Sequence, residues 1–445
     1  MQKIKDLLAH KELRRYLNNT SWILGERVLR LILSFFVSIL VVRYLGPKNY
    51  GILAYAISMV GMLQSMTHVG LSGLVTRDLV KYPEERGIIL GSVLTIKVFA
   101  SIIAFLFLII LALVSESISS ENFQILIVVA FSLLFNPFII FEFWFQANVQ
   151  ARYSSLSHGL SIIGASVLRL VLVLINADLK VFAYVFVIET ASSSLLLLFF
   201  YILKAPLPLK KWRSSLVIGI KLLSQGWIIA LGALFATVYL KIDKIMLRWL
   251  INPEEVGVYA VASQLSEVWY FIPTAIVTSL FPKLIQLKES NTKEYLRRLQ
   301  QLFDLLFILA LFLAILVTIF SHSVITFLYG LPFERSSAIL SIHVWAGLFI
   351  FMREAFSKWI LIENALAFSA ITQGFGAVIN VGLNLLLIPL YKAYGAAMAT
   401  LISYAFASYL SLLFYQKSRP VFFMMTKSLV SPIRYSLKYV FKRKI

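Results

Sequence analysis

Nine basic residues stand inside stretches that are otherwise apolar enough to cross a bilayer: Arg27, Arg30, Lys97, Arg169, Lys221, Lys241, Lys244, Arg353 and Lys358. A cation at the centre of a lipid-facing helix costs about 2.5–3.5 kcal/mol on insertion scales, so each must reach an interface or face a polar interior. Lys221 and Lys358 lie near predicted helix ends, and Lys241 and Lys244 approach the outer end of a long span, so these four can snorkel. Arg30 lies deeper, about eleven residues into the first span and some 16 Å from its start at 1.5 Å per residue. Lys97, Arg169 and Arg353 are similarly deep. Deep cations on four helices predict one shared cavity, and the candidate anion-binding set is Arg30, Arg27, Lys97, Arg169, Lys241 and Arg353. Arginine grips phosphate oxygens with two parallel bonds, which makes a lipid phosphate or pyrophosphate head a fitting guest.

The acids within spans are fewer: Glu26, Glu142, Glu189, Asp243, Glu267 and Glu354. The cavity is therefore expected to be net positive. The plainer alternative is internal pairing, for which Glu26–Arg30 and Glu354–Lys358 have the right i,i+4 spacing. The sequence lacks a Gly-x-x-x-x-Gly-Lys-Ser/Thr loop, so no ATP site is predicted and no cofactor is needed. Uphill work would draw on a proton or sodium gradient through an intramembrane acid. Asp243, with no cation four residues on, is the first candidate for that coupling acid and Glu26 the second. With no cysteine and no His-Glu-x-x-His, no metal site is predicted, and His10, His68, His158, His322 and His343 read as structural or surface groups.

These residues must be held by membrane helices. Of the 445 residues 60% are hydrophobic, and the mean hydropathy is +0.86. The chain reads as an all-α polytopic membrane protein of about twelve transmembrane helices, with no room for a soluble domain and no cleavable leader. The predicted spans are 19–43, 50–72, 88–114, 122–147, 154–175, 181–203, 215–248, 256–280, 300–320, 337–362, 368–390 and 394–416. With the N-terminus inside, the inner segments carry 26 Lys and Arg and the outer loops 6. That contrast predicts a multi-pass protein of the cytoplasmic (inner) membrane with both termini in the cytoplasm. It also accounts for most of the net charge of +20, so a nucleic-acid partner is not expected. The basic tail, 419–445, would lie on anionic membrane lipids at about 1 kcal/mol per cation.

The chain is written twice. Pro47, Gly51, Ala54 and Ala56 recur as Pro253, Gly257, Ala260 and Ala262, and Phe141, Trp144 and Gly159 recur as Phe356, Trp359 and Gly374. The offsets, 206 and 215, are nearly equal. This predicts two six-helix lobes, 1–205 and 206–418, related by a parallel internal repeat of the kind transporters use. Trp22, Trp212, Trp249 and Trp269 fit an interfacial aromatic belt. Trp144 and Trp359, matched across the repeat, are candidates to stack on a sugar.

Trp22, Glu26, Arg30 and then Arg43-Tyr44-Leu45-Gly46-Pro47-x-x-Tyr50-Gly51 resemble the opening of Wzx-type polysaccharide or O-antigen flippases. These belong to the multidrug/oligosaccharidyl-lipid/polysaccharide exporter superfamily. Ile242-Asp243-Lys244-Ile245-Met246-Leu247, Val256-Gly257-Val258-Tyr259, Glu267-Val268-Trp269-Tyr270 and Phe281-Pro282 are similar to its seventh and eighth spans. Arg248-Trp249 departs from the family, in which a small residue is common there. The resemblance implies two lobes around a central cationic cavity that opens alternately to each side. It implies undecaprenyl-pyrophosphate-linked oligosaccharide as cargo, other polysaccharide-assembly proteins as partners, and Glu26, Arg30 and Asp243 as cavity residues. Two other readings stay open. One is a cation-coupled multidrug exporter of the same superfamily. The other, a membrane glycosyltransferase or polymerase, is disfavoured by the short outer loops.

Overall fold

The computed structural model describes residues 2–68, 70–363, 365–432 and 434. The side chains of residues 2–13, His68 and Leu366 lie outside that description, as do Lys438, Lys442, Arg443 and Lys444 of the basic tail. The described residues are helical and contain no strand. By packing, the chain divides into two compact units, Met1–Leu231 and Gly232–Ile445. The division falls inside one long helix rather than in a loop.

The first unit contains α1 (Gln2–His68), α2 (Leu71–Lys81), α3 (Arg86–Ser115), α4 (Glu121–Ala130), α5 (Ile140–Ala147), α6 (Ala151–Leu174) and α7 (Leu179–Lys204). Then α8 (Leu216–Leu250) crosses the division. The second unit continues with α9 (Pro253–Glu267), α10 (Phe271–Ser290), α11 (Thr292–Tyr329), α12 (Ser336–His343), α13 (Gly347–Ile362), α14 (Leu366–Ser408) and α15 (Arg419–Leu429).

Among the described residues ten helical stretches are long and apolar enough to cross a membrane, against about twelve read from the sequence. The difference lies in two long helices, each interrupted once. In α1, Gly46 takes φ 69° and ψ 173°, and Pro47 follows it. Glycine reaches that backbone region without strain, and proline contributes no N–H to continue the ladder. In α14, Lys392 takes φ 53°, three residues after Pro389. Gly395 follows so closely that a Cβ there would stand 2.2 Å from the Leu387 carbonyl oxygen. Both interruptions fall where the sequence places outer turns.

The repeated motifs sit in like surroundings. The Gly46-Pro47 break is matched by Asn252, whose side chain accepts from the Glu255 N–H and caps α9 before Pro253. The Phe/Trp pairs lie on α5 and α13, each helix preceded by a 3₁₀ stretch, Phe131–Ile139 and Val344–Ala346. Trp144 and Trp359 are both buried in hydrophobic cores. Trp144 meets Tyr201 edge-on at 5.5 Å, and Trp359 stacks on Phe356 at 5.5 Å. The repeat therefore preserves core packing here, and neither indole is presented to a sugar.

Part of the basic tail is built into the second unit. Helix α15 buries Val421, Met425 and Ser428 against α11. Asp304 of α11 is buried, accepts from Gln300 Nε2 at 2.8 Å and Ser428 Oγ at 2.7 Å, and pairs with Arg434.

Candidate functional site

In the first unit α1 packs along α6, and α5 and α7 pack against α6 from other sides. Their polar residues meet in two adjoining cavities. The larger, about 540 Å³, is lined by Glu26, Arg27 and Arg30 of α1, Glu142 and Gln146 of α5, and His158 of α6. The smaller, about 210 Å³, again contains Arg30 and His158 and adds Asn136, Glu189 and Ser193. Arg30 and His158 thus belong to both.

Each charge in this cleft has a geometric reason. Glu26 and Arg30 lie one turn apart on α1 and form an ion pair through Nε and Nη2. Arg169, one helix over, gives Nη2 to Glu189 of α7 at 2.5 Å. His158 bridges two helices, with Nδ1 2.8 Å from Ser193 Oγ and Nε2 3.4 Å from Glu142 Oε2. Gln146, one turn beyond Glu142, donates to its other oxygen at 3.0 Å. The two cavities are lined by two arginines, Arg27 and Arg30, and three glutamates, Glu26, Glu142 and Glu189; Arg169 lines neither and borders them through its pair with Glu189. The net positive balance expected from counting charges along the chain does not hold within these two cavities.

Lys97 takes a different position. It is fully buried, donates from Nζ to the Thr67 carbonyl at 3.3 Å and lies 5.8 Å from the Phe143 ring. Asn136 donates to the Thr67 hydroxyl, so Lys97 borders the cleft through Thr67 and Asn136 without lining it. A cation against the last carbonyls of α1 complements the negative end of the helix dipole.

The remaining predicted residues belong to the second unit. Asp243 of α8 is buried and accepts from Tyr259 Oη at 2.5 Å, Thr400 Oγ1 at 2.5 Å and Asn384 Nδ2 at 2.6 Å. Asn384 also donates to Asn380 Oδ1 at 3.1 Å, and Asn380 donates to Ser403 at 3.3 Å. The Oδ1 of Asn384 is buried without a hydrogen-bond partner. Lys241 is half-buried on α8; two residues from Asp243, it points to another side of the helix. Arg353 is half-buried on α13 and donates to the Ala407 carbonyl of α14 at 3.1 Å.

Of the residues the sequence singled out, Glu26, Arg27 and Arg30 line these cavities, Arg169 pairs beside them and Asp243 lies in a separate buried polar cluster; their neutral partners were not singled out. His158, read as structural or surface, is with Arg30 one of the residues common to both cavities. The sequence signal for the Asp243 partners was available in Asn380 and Asn384, two amides one turn apart in an otherwise apolar run.

Residues 16–288, more than half of the chain, match the family model described as "Polysaccharide biosynthesis protein", and the chain belongs to that family. A relative of known sequence is the "Probable flippase AglR" of Haloferax volcanii, 28% identical over 178 residues. That match spans 39% of this chain and 37% of the relative. Among solved structures the fold is similar to the lipid II flippase MurJ in an inward closed conformation, with TM-score 0.64 and 17% identity, covering 92% of this chain and 93% of that one. It is also similar to an inward-facing multidrug resistance MATE family transporter of the MOP superfamily, with TM-score 0.63 and 14% identity, covering 89% of this chain and 96% of that one. The chain is a multi-pass membrane protein whose homologues and fold neighbours are flippases and transporters, not enzymes.

Proposed function

We propose that this protein is a flippase that carries a polyprenyl-pyrophosphate-linked oligosaccharide, a polysaccharide repeat unit, across the cytoplasmic membrane by alternating access. Undecaprenyl is the chain proposed for the carrier. The observation that supports this reading best is the α1–α5–α6 cleft. It combines two arginine side chains with hydroxyl, amide and imidazole groups that can bond to sugar hydroxyls: Ser154, Ser155, Gln146 and His158. Glu26 accepts from both Nε and Nη2 of Arg30 through one oxygen, Oε1, and its displacement would free that fork for the pyrophosphate. Coupling would run through Asp243. Its carboxylate, the Asn380 and Asn384 carbonyl oxygens and the Thr400 hydroxyl are all hard oxygen donors, so neutralisation by a proton or by a sodium ion both suit it.

A second reading has its own observation. Three glutamates in the cleft would also suit a cationic guest, as in a multidrug exporter of the same fold. Proteoliposomes loaded with a fluorescent pyrophosphate-linked oligosaccharide decide between the two. Flipping of that substrate without uptake of cationic dyes supports the flippase, and the reverse pattern supports the exporter.

A further inference from the structure

A third cavity, about 430 Å³, runs between α1 and α6 beside the cleft. Its walls are Trp22, Gly25 and Leu29 on one helix and Gly159, Leu160 and Ile163 on the other. The spacings keep each set on one helix face. Small residues on membrane helices ordinarily let two backbones close together. Here they leave a gap. A Cβ at Gly25 would meet nothing within 4 Å, and one at Gly159 only the end of Leu29 at 3.8 Å. Leu160 and Ile163 are still 50% and 42% exposed, so the groove is open along one side. It is apolar over most of its length, and it shares Glu26 and Ser155 with the cleft that holds Arg27 and Arg30.

An apolar groove that leads into an arginine-bearing cleft is complementary to an amphiphile with an anionic head. We infer that the α1–α6 groove seats the first isoprene units of a polyisoprenyl pyrophosphate while the head lies at Arg27 and Arg30. This rests on the flippase reading above. The groove lines α1 from Asn18 to Leu29, about 17 Å at 1.5 Å per residue, enough for several isoprene units. Bilayer chains are as apolar as the groove, so entry brings little hydrophobic free energy. What the groove supplies is position: it fixes the head against the cleft and selects a branched, unsaturated chain by shape.

The test uses the full-length protein in proteoliposomes and a polyprenyl pyrophosphate with a diazirine in its chain. Irradiation should label the segments Trp22–Leu29 and Gly159–Ile163. Unlabelled polyprenyl pyrophosphate should compete, and phosphatidylglycerol should not. Gly25→Leu and, separately, Gly159→Leu should each reduce this labelling roughly tenfold, as expected when a side chain of that size overfills a fitted site. Equal competition by phosphatidylglycerol would reduce the groove to a general lipid contact. Labelling confined to other helices, or unchanged in both variants, would overturn the inference. Flipping without groove labelling defeats the groove alone. Groove labelling without flipping of the oligosaccharide substrate defeats the flippase reading and leaves the groove standing.

Discussion

Asn384 gives its amide N–H to Asp243 at 2.6 Å while its own carbonyl oxygen is buried without a hydrogen-bond partner. A buried carboxylate with three donors, beside an unmatched acceptor, is a place where one positive charge changes the balance of the whole cluster. In vesicles, Asp243→Asn is expected to abolish the dependence of flipping on a proton or sodium gradient while leaving downhill flipping measurable. Gradient dependence equal to that of the native protein would remove Asp243 from the coupling role.

Arg30 is shared by both polar cavities. Arg30→Ala is expected to abolish complementation of a flippase-deficient strain with protein levels near normal. Arg30→Lys should restore little, because it keeps the charge and loses the planar fork. Complementation at the native level by Arg30→Ala would leave Arg30 as a partner for Glu26 and nothing more.

Arg169 and Glu189 are each about a quarter exposed, so their pair is screened in part. Arg169→Leu alone should lower thermal stability by about 1–2 kcal/mol, since it strands Glu189. The double change Arg169→Leu with Glu189→Leu should recover most of that loss. Thermal unfolding in detergent reads the stability. If the double variant is stable but does not transport, the pair contacts cargo as well as structure.

Lys97→Met separates a cap from a ligand. The variant keeps the volume beside Phe143 and removes a buried cation that bonds a backbone carbonyl. Stability equal to or above that of the native protein, with transport retained, is the expected result. Loss of transport at full stability would return Lys97 to the anion-binding set.

The charge asymmetry of the loops predicts topology. Reporter fusions after Lys81, Lys211 and Lys288 should read cytoplasm, and fusions near Lys48 and Glu254 should read outside. An outside signal at Lys211 would reverse the assignment of every span.

The fold was legible because bilayer chemistry leaves few options: long apolar runs must be helices, and Gly46-Pro47 must interrupt one. Asp243 and Arg30 were legible for the same reason, since a charge in such a run needs an explanation. What could not be read was which charges meet. Arg30 with Glu26 is a spacing rule, but Arg169 with Glu189 and His158 with Glu142 join residues on different helices. Counting charges along the chain therefore gave a positive cavity, whereas packing in the first unit lined its two polar cavities with two arginines and three glutamates. Lys97 looked like the other deep cations until its neighbours were known. Trp144 and Trp359 were matched by the repeat, but the repeat records shared architecture as readily as shared chemistry.

The seating of Asp304 has a consequence for how the protein is made. Its long-range partners, Ser428 and Arg434, lie 124 and 130 residues later in the chain. At about 5–20 residues per second, a ribosome needs on the order of ten seconds to deliver them after α11 has emerged. During that interval Gln300, one turn away, is the partner already at hand. The pair of Asp304 with Arg434 thus forms only after more than a hundred further residues have been made. Truncation before Arg434, or a bulky fusion directly after it, would be felt in the middle of α11, more than a hundred residues from the altered site.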